Sequence, residues 1–161
     1  LCLQLSDDFQ RVKLYDHTVA KPLPIDIPLA VKHMVEMMQE FDVKLVGVAP
    51  TDNPFFSGRN VKQKHFCVGD CILVRGCPLR FDEKLTLKED YDYTLQHLKE
   101  YGRVARCDFL LFSFKHRKNK GGAVDYRTEK LEQESINYLR SKWGDKIKSN
   151  PRRPNEILLK P

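Results

Sequence analysis

Residues 31–49, VKHMVEMMQEFDVKLVGVA, join a helical pattern directly to a strand pattern. Apolar side chains recur at the spacing of an amphipathic helix of about three turns. They are Val31, Met34, Val35, Met38 and Phe41. Residues 43–49 (VKLVGVA) then have the continuous apolar character of a buried strand. A helix followed by a strand is the α/β pattern, and we expect the methionines to lie in its core.

The α/β pattern continues downstream. Residues 66–75 (FCVGDCILVR) predict a second strand, which comes after the exposed loop of residues 50–59 (PTDNPFFSGR). Thr86 and Glu89 have capping-box spacing, and Gly102 ends the helix that they open. The apolar face of that helix consists of Tyr91, Leu95 and Leu98.

The first residues and the last third of the chain also show strand and helix patterns. Residues 104–114 (VARCDFLLFSF) predict a third strand, residues 126–143 a long helix closed by Gly144, and residues 156–160 a short strand or arm. The opening residues 1–5 (LCLQL) predict a strand that is apolar on both faces. We therefore expect it in the middle of a sheet, with earlier strands and helices preceding this fragment.

Composition favours one domain, residues 1–161. The chain is 41% hydrophobic and 31% charged, which suffices for one ordinary core. Its apolar runs, such as residues 109–114, are far shorter than the ~20 residues of a membrane span. No secretory leader pattern opens the sequence, and the 5 cysteines contain no CxxC pair. We expect an intracellular protein, cytoplasmic or nuclear, without a disulfide framework and without membrane contact.

A soft-metal site is conceivable at residues 65–71. His65, Cys67 and Cys71 would share one face of a strand, but their spacing matches no standard zinc motif. Buried free thiols are the simpler interpretation.

The net charge of +6 is unevenly distributed. Residues 1–114 hold 15 Lys and Arg against 16 Asp and Glu, whereas residues 115–161 hold 13 against 6. A basic segment of this kind favours a polyanionic partner, such as a nucleic acid or a nucleotide diphosphate. A solvated basic helix and tail is the structural alternative.

Asp7 and Asp8 directly follow the first predicted strand. Side chains in that position emerge at the carboxyl edge of an α/β sheet, where ligand sites commonly lie. Two carboxylates there offer hard oxygen ligands to Mg²⁺ or Mn²⁺. Because Asp is also favoured in turns, the pair has a purely structural interpretation as well.

Glu89, Asp90 and Asp92 form a second acidic cluster, at the start of a predicted helix. The helix macrodipole stabilises such carboxylates by roughly 0.3–1 kcal/mol each, which would account for the cluster structurally. In a functional interpretation, one carboxylate is a general base that deprotonates an acceptor hydroxyl.

A cationic loop with a glycine pair follows the third predicted strand. Such a loop can close over a diphosphate and neutralise the charge of a leaving group. His116 could in addition give a metal ion a nitrogen ligand; an exposed basic turn is the structural alternative. The residues of the loop are Lys115, His116, Arg117, Lys118, Lys120, Gly121 and Gly122.

The order of these motifs resembles the TET-associated glycosyltransferase family, which is related to the base J DNA glucosyltransferases. The motifs are LSDDF, VGDCILVRG, EDYDYTLQHLKEYG, KNKGG and KWG, and the resemblance is strongest over residues 68–144. It implies a GT-A-like, Rossmann-like mixed sheet flanked by helices. It also implies a transferase that moves a sugar from a nucleotide sugar, such as a UDP-sugar, to a hydroxymethylated pyrimidine in DNA.

The resemblance also suggests roles for individual residues. Asp7 and Asp8, with His116, would hold Mn²⁺ or Mg²⁺ at the donor diphosphate, and Asp90 would be the catalytic base, with Glu89 and Asp92 as alternatives. The donor phosphates would bind to Lys115, Lys118, Lys120, Gly121 and Gly122. From the residues themselves, the basic segment 115–161 could hold DNA phosphates. Asn53, Pro54, Phe55 and Phe56 could line the acceptor side, although aromatic residues in loops more often serve packing. Nothing implies an obligate protein partner.

Two alternatives remain open from the sequence. Clustered carboxylates beside lysines could hold two Mg²⁺ ions around a phosphodiester, as in a metal-dependent nuclease. A catalytically inactive module could instead keep the fold and bind nucleic acid through its basic segment.

Overall fold

A five-stranded mixed sheet lies at the centre of the computed structural model, which describes residues 1–115, 128–153 and 156–160. One pair of neighbouring strands, β4 and β7, is parallel, and the other pairs are antiparallel. In spatial order the strands are β1 (Cys2–Leu5), β6 (Val68–Val74), β4 (Leu45–Val48), β7 (Ala105–Cys107) and β5 (Val61–Lys62).

Helices cover both faces of this sheet. Met34 and Met38 of α1 (Ile27–Glu40) pack with Val46 on one face, which confirms the predicted role of the methionines. Tyr93 of α3 (Glu89–Tyr101) packs with Leu45 on the other face. Because successive residues of a strand point to opposite faces, β4 supplies both layers of the core. The fold is therefore α/β, with a mixed sheet flanked by helices, as the sequence predicts.

Two smaller sheets complete the described structure. One is antiparallel and contains β3 (Lys21–Ile25), β2 (Phe9–Asp16) and β8 (Leu110–Phe114) in that order. The other pairs β9 (Ile147–Ser149) with β10 (Ile157–Leu159) and packs against α4 (Glu129–Trp143). Thr128 caps the start of α4 and Gly144 its end. The predicted closure at Gly144 is confirmed, whereas residues 126 and 127 lie outside the described residues.

The first strand lies at an edge of the described sheet. β1 pairs with β6 alone among the described residues, Leu3 on it is 39% exposed, and Leu1 just before it is 75% exposed. The expectation that further strands lie beside it stays a prediction. Apolar residues on both faces of a strand favour a central position, but in this structure the residues of β1 are mostly exposed. The order of strands still gives β1 the same direction as β4 and β7.

Two local predictions are wrong, and one hairpin was not predicted. Helix α3 begins at Glu89 after Lys88, whose φ of 65° is left-handed, and no side chain caps it, so Thr86 does not form a capping box. The strand predicted for residues 104–114 is divided at residues 108 and 109 into β7 and β8, which belong to different sheets. Residues 9–25, a polar and Pro-rich stretch in the sequence, form the hairpin of β2 and β3.

Several strands begin or end at the same end of the central sheet. The carboxyl ends of β1, β4 and β7 meet the amino end of the antiparallel strand β6 there, and we call this end the carboxyl edge. Helix α3 also begins beside it, because the N–H of Gly69 in β6 donates to Asp90. None of the helices in the described part of the chain has the length and hydropathy of a membrane span.

Candidate active site

A cavity of about 220 Å³ lies at the carboxyl edge. Phe112 and Phe114 of β8 form part of its wall, and residues 49–52, which follow β4, form another part. Its polar lining consists of Thr51, Asp52, Asp70 and Ser113. The cleft is small and is lined by both apolar and polar side chains.

Asp52 is fixed at the rim of this cleft by its neighbours. The hydroxyl of Ser113 donates to Oδ2 of Asp52, and the guanidinium of Arg11 lies 3.8 Å from the same oxygen. The Asp52 side chain remains 45% exposed, so it is accessible to a ligand.

Asp90 lies at the first turn of α3, against Gly69, which is the residue between Val68 and Asp70 of the cleft lining; Asp90 does not itself line the cleft. Its Oδ2 accepts a hydrogen bond from the N–H of Gly69 (3.1 Å), and its Oδ1 accepts one from the N–H of Tyr91 (2.9 Å). The residue is half-buried. Burial raises the pKa of Asp90 from 3.8 to about 7, and the negative charges of Glu89 and Asp70 add to the effect, while the two N–H donors oppose it.

A carboxyl group with a pKa of about 7 can both accept and release a proton near neutral pH. Perturbed carboxyl groups of this kind are common at catalytic sites, because a general base works best when its pKa is close to the working pH. The geometry of Asp90 thus suits the role of a general base.

Asp7 and Asp8 occupy the turn between β1 and β2, at the same edge of the sheet. The N–H of Ser6 donates to the carbonyl of Asp70 (2.8 Å), and the N–H of Lys115 donates to the carbonyl of Asp8 (2.9 Å). Asp7 is exposed and Asp8 is half-buried. The expectation that this pair lies at the carboxyl edge therefore agrees with its position, although the strand before it is an edge strand of the described sheet.

The acidic pair has the right chemistry for a hard divalent ion. Mg²⁺ is commonly held by one or two carboxylates together with substrate phosphates, and oxygen ligands at an accessible rim suit that arrangement. His116, the third proposed ligand, lies outside the described residues, as do Lys118, Lys120, Gly121 and Gly122. Within residues 1–115, 128–153 and 156–160, no group of three or more His, Cys, Asp or Glu side chains could hold a metal ion.

The remaining predicted carboxylates have different surroundings. Glu89 is half-buried beside Asp90. Asp92 is fully buried and joins α3 to α4, because its carboxylate accepts hydrogen bonds from Trp143 Nε1 (2.7 Å) and Gln96 Nε2 (2.6 Å) and lies 2.8 Å from Lys142 Nζ. We assign Asp92 a structural role on this basis.

A second and larger cavity, of about 420 Å³, lies against α3 and the end of α4. Trp143 and Lys142 line it, but Lys142 is already paired with Asp82 (2.7 Å) and Asp92 (2.8 Å). We place the candidate chemistry at the carboxyl edge instead, because Asp90, a carboxyl group of raised pKa, lies there.

The buried cysteines are explained without a metal. Cys67 and Cys71 are buried, and burial raises the pKa of each thiol to about 12. Thiols in that environment remain protonated at neutral pH and are poor ligands. His65 is exposed.

Sequence reasoning missed Asp52, Asp70 and Ser113. Asp70 carried a signal, since it is a carboxylate that follows a glycine inside an apolar strand pattern (VGDCILV). Asp52 is also recognisable as the first acid after a buried strand. Ser113 carries no such signal, because its role depends on the packing of β8 beside the loop after β4.

No family model matches the chain, and neither the comparison with curated proteins nor the comparison with solved structures finds a match.

Proposed function

We propose that this chain is a glycosyltransferase, which moves a sugar from a nucleotide-sugar donor to a hydroxymethylated pyrimidine base in DNA. The observation that carries the proposal is Asp90, a half-buried carboxyl group with a pKa of about 7, which contacts Gly69 at the carboxyl edge. The order of sequence motifs, which resembles a family of DNA-modifying glycosyltransferases, supplies the substrate class.

In the proposed reaction Asp90 is the general base. Its ionised carboxylate accepts the proton of the hydroxymethyl group as the oxygen of that group attacks the anomeric carbon of the donor sugar. The bond from the anomeric carbon to the diphosphate oxygen breaks, and the nucleoside diphosphate leaves with the electron pair. Asp90 then returns its proton to solvent, which a pKa of about 7 allows. No covalent enzyme intermediate is required.

Negative charge that develops on the leaving diphosphate needs stabilisation. Lys115 is exposed directly after β8, and its N–H donates to Asp8 in the turn that carries the acidic pair. Its ammonium group would bind the diphosphate together with the proposed loop that follows. Asp7 and Asp8 would hold Mn²⁺ or Mg²⁺, and such an ion would act as a Lewis acid on the diphosphate oxygens.

The hydroxymethyl group of the acceptor base must also be able to reach the catalytic carboxylate. A hydroxymethyl group on a base stacked inside a duplex is difficult to bring to a half-buried carboxylate, so the target base would be unpaired or flipped out. Thr51, Asp52 and Ser113 are polar groups of the cleft that could orient such a base.

The direct test combines the chain, in the longest form in which it is expressed, with a UDP-sugar, Mn²⁺ and DNA that contains hydroxymethylcytosine or hydroxymethyluracil. The expected product is a DNA base that has gained the mass of one sugar, as measured by mass spectrometry of digested nucleosides. DNA without hydroxymethyl groups is the control. Cleavage of the DNA with Mg²⁺ alone would support a nuclease instead, and salt-sensitive DNA binding without transfer would support an inactive binding module.

A further inference from the structure

Two neighbouring aromatic side chains stand almost fully in solvent beside the cleft. Phe55 is 78% exposed and Phe56 is 71% exposed, and their ring centroids lie 5.2 Å apart with the rings at 87°. An exposed apolar surface of this size commonly marks a binding site. We call this pair the aromatic platform.

The platform is carried by a short helical turn. Phe55 and Phe56 lie on α2 (Pro54–Ser57), where the side chain of Asn53 accepts a hydrogen bond from the N–H of Phe55 (2.9 Å). Gly58 ends the turn with a φ of 97°, which favours glycine.

The platform adjoins the candidate active site. Asp52 lines the cleft, and Phe55 follows it by three residues. Even a fully extended chain would separate their Cα atoms by at most roughly 10 Å. A ligand on Phe55 can therefore extend into the space beside Asp52 and Asp70.

One positive charge borders the platform. Arg59 Nε donates to the carbonyl of Pro54 (3.2 Å), so this cation contacts the backbone of the same turn. Among the described residues no carboxylate pairs with Arg59, whose guanidinium lies over the ring of Tyr15 at 4.6 Å. Lys62 Nζ donates to the carbonyl of Ser57 (3.2 Å), but its charge is paired with Asp108 (3.0 Å). Exposed rings bordered by an unpaired cation match a polyanion whose subunits have flat faces, which is the chemistry of a nucleic acid strand.

We propose that Phe55 and Phe56 form a stacking site for an unpaired nucleobase of the acceptor strand, next to the base that enters the cleft. The inference rests on the proposed function for the identity of the acceptor. Every nucleobase has a π face, so the platform binds without sequence preference, and Arg59 binds the strand's phosphate. The site selects single-stranded or unpaired DNA over intact duplex.

The test measures binding of the chain, without donor, to a fluorescent single-stranded 12-mer and to the same sequence as a duplex. Three double variants replace both phenylalanines by Leu, Ala or Tyr, and Phe81→Leu is the matched control, because Phe81 stacks on Tyr93 and does not line the cleft. Circular dichroism melts confirm that each variant is folded. Leu keeps apolar surface but removes the π face, so it separates base stacking from general hydrophobic contact.

Wild type is expected to bind the single strand more tightly than the duplex. The Leu and Ala double variants are expected to lose roughly ten-fold or more in single-strand affinity, while the Tyr double variant and Phe81→Leu retain it. Wild-type affinity in the Leu double variant would overturn the proposal, as would equal wild-type affinity for strand and duplex. A wild-type dimer that becomes monomeric in the Ala double variant would also overturn it, because a second copy would then cover the platform.

Failure of this inference is distinguishable from failure of the proposed function. If wild type transfers no sugar but the Leu double variant loses single-strand affinity, only the proposed function is contradicted. Transfer by wild type, with unchanged strand affinity and unchanged KM for DNA in the Leu double variant, contradicts only the platform.

Discussion

Gly69 and Asp90 meet where β6 passes the first turn of α3: the glycine N–H donates to Asp90 Oδ2 at 3.1 Å, and a Cβ built on Gly69 would lie 3.1 Å from the Cβ of Asp90. The strand therefore provides both a donor for the carboxylate and the space for its side chain. This contact couples the position of the proposed base to the central sheet.

Gly69→Ala tests that coupling. The added methyl group must push Asp90 or the strand aside by a few tenths of an ångström, because its close contact is the Cβ of Asp90 and not the end of a flexible side chain. We expect sugar transfer to fall by roughly ten-fold or more, since small misplacements of a catalytic group reduce rates strongly. The fold should survive, with a modest fall in Tm. Steady-state transfer rates and a thermal melt are the measurements, and full activity of Gly69→Ala would show that the contact does not position Asp90.

Gly47→Ala is expected to damage the fold instead. A Cβ at Gly47 would lie 2.5 Å from the Cβ of Cys67 and 2.9 Å from its sulfur, in the middle of β4. Overpacking of this kind costs about 1–3 kcal/mol or more in the free energy of unfolding. Adding Cys67→Gly removes the clashing atoms, so the double variant should be more stable than the sum of the two single changes predicts. Additive losses in urea unfolding would refute the steric account.

Asp92→Asn should affect stability and leave the chemistry intact. The substitution removes the charge that pairs with Lys142 Nζ at 2.8 Å, and an amide can turn a donor toward the N–H of Trp143. We expect the free energy of unfolding to fall by roughly 1–3 kcal/mol. At temperatures where the variant is folded, the pH dependence of transfer should match that of wild type. A shifted pH profile would place Asp92 in the catalytic machinery.

The raised pKa of Asp90 also predicts how stability varies with pH. A carboxyl group whose folded-state pKa lies above its unfolded value of 3.8 stabilises the fold at low pH, and that stability is lost as the pH rises from about 4 to about 7. Asp90→Asn cannot ionise, and its single amide oxygen can accept from Gly69 or from Tyr91 but not from both, a loss that is the same at every pH. The stability of the variant relative to wild type should therefore rise by on the order of 1–3 kcal/mol between pH 4 and pH 8. A stability difference that does not change with pH would contradict the raised pKa.

Local sequence patterns predicted several elements well. Met34 and Met38 lie in the core, Gly102 ends α3, and Gly144 ends α4. Helical periodicity and a glycine after the last turn act over a few neighbouring residues, so they are readable without the tertiary structure. Asp90 was identified in the same way, as one acid in the first turn of a predicted helix.

Elements that depend on distant partners were missed. Pro22 and Pro24 lie in β3, which is an edge strand, where a missing N–H is tolerated. Residues 104–114 were predicted as one strand, but the chain passes from one sheet to another at Asp108. The carboxylate of Asp108 pairs with Arg106 and Lys62. These outcomes are set by contacts across the fold, which periodicity does not encode.

The candidate site shows the same limit. Asp70 lies 20 residues from Asp90 in the sequence, and only the passage of β6 beside α3 brings the two carboxyl groups close enough to interact electrostatically. The acids were visible in the sequence, whereas the raised pKa of Asp90 required their arrangement in space.

The most direct test of the central claim is the pH dependence of sugar transfer to hydroxymethylated DNA, measured for wild type and Asp90→Asn at saturating UDP-sugar and Mn²⁺. A base with a pKa of about 7 must be ionised to work, so the wild-type rate should fall about ten-fold per pH unit below about pH 7 and level off above it. Asp90→Asn should lose roughly 10²-fold or more at pH 8 and show no such fall. A variant that transfers sugar at the wild-type rate, with the wild-type pH profile, would contradict the account.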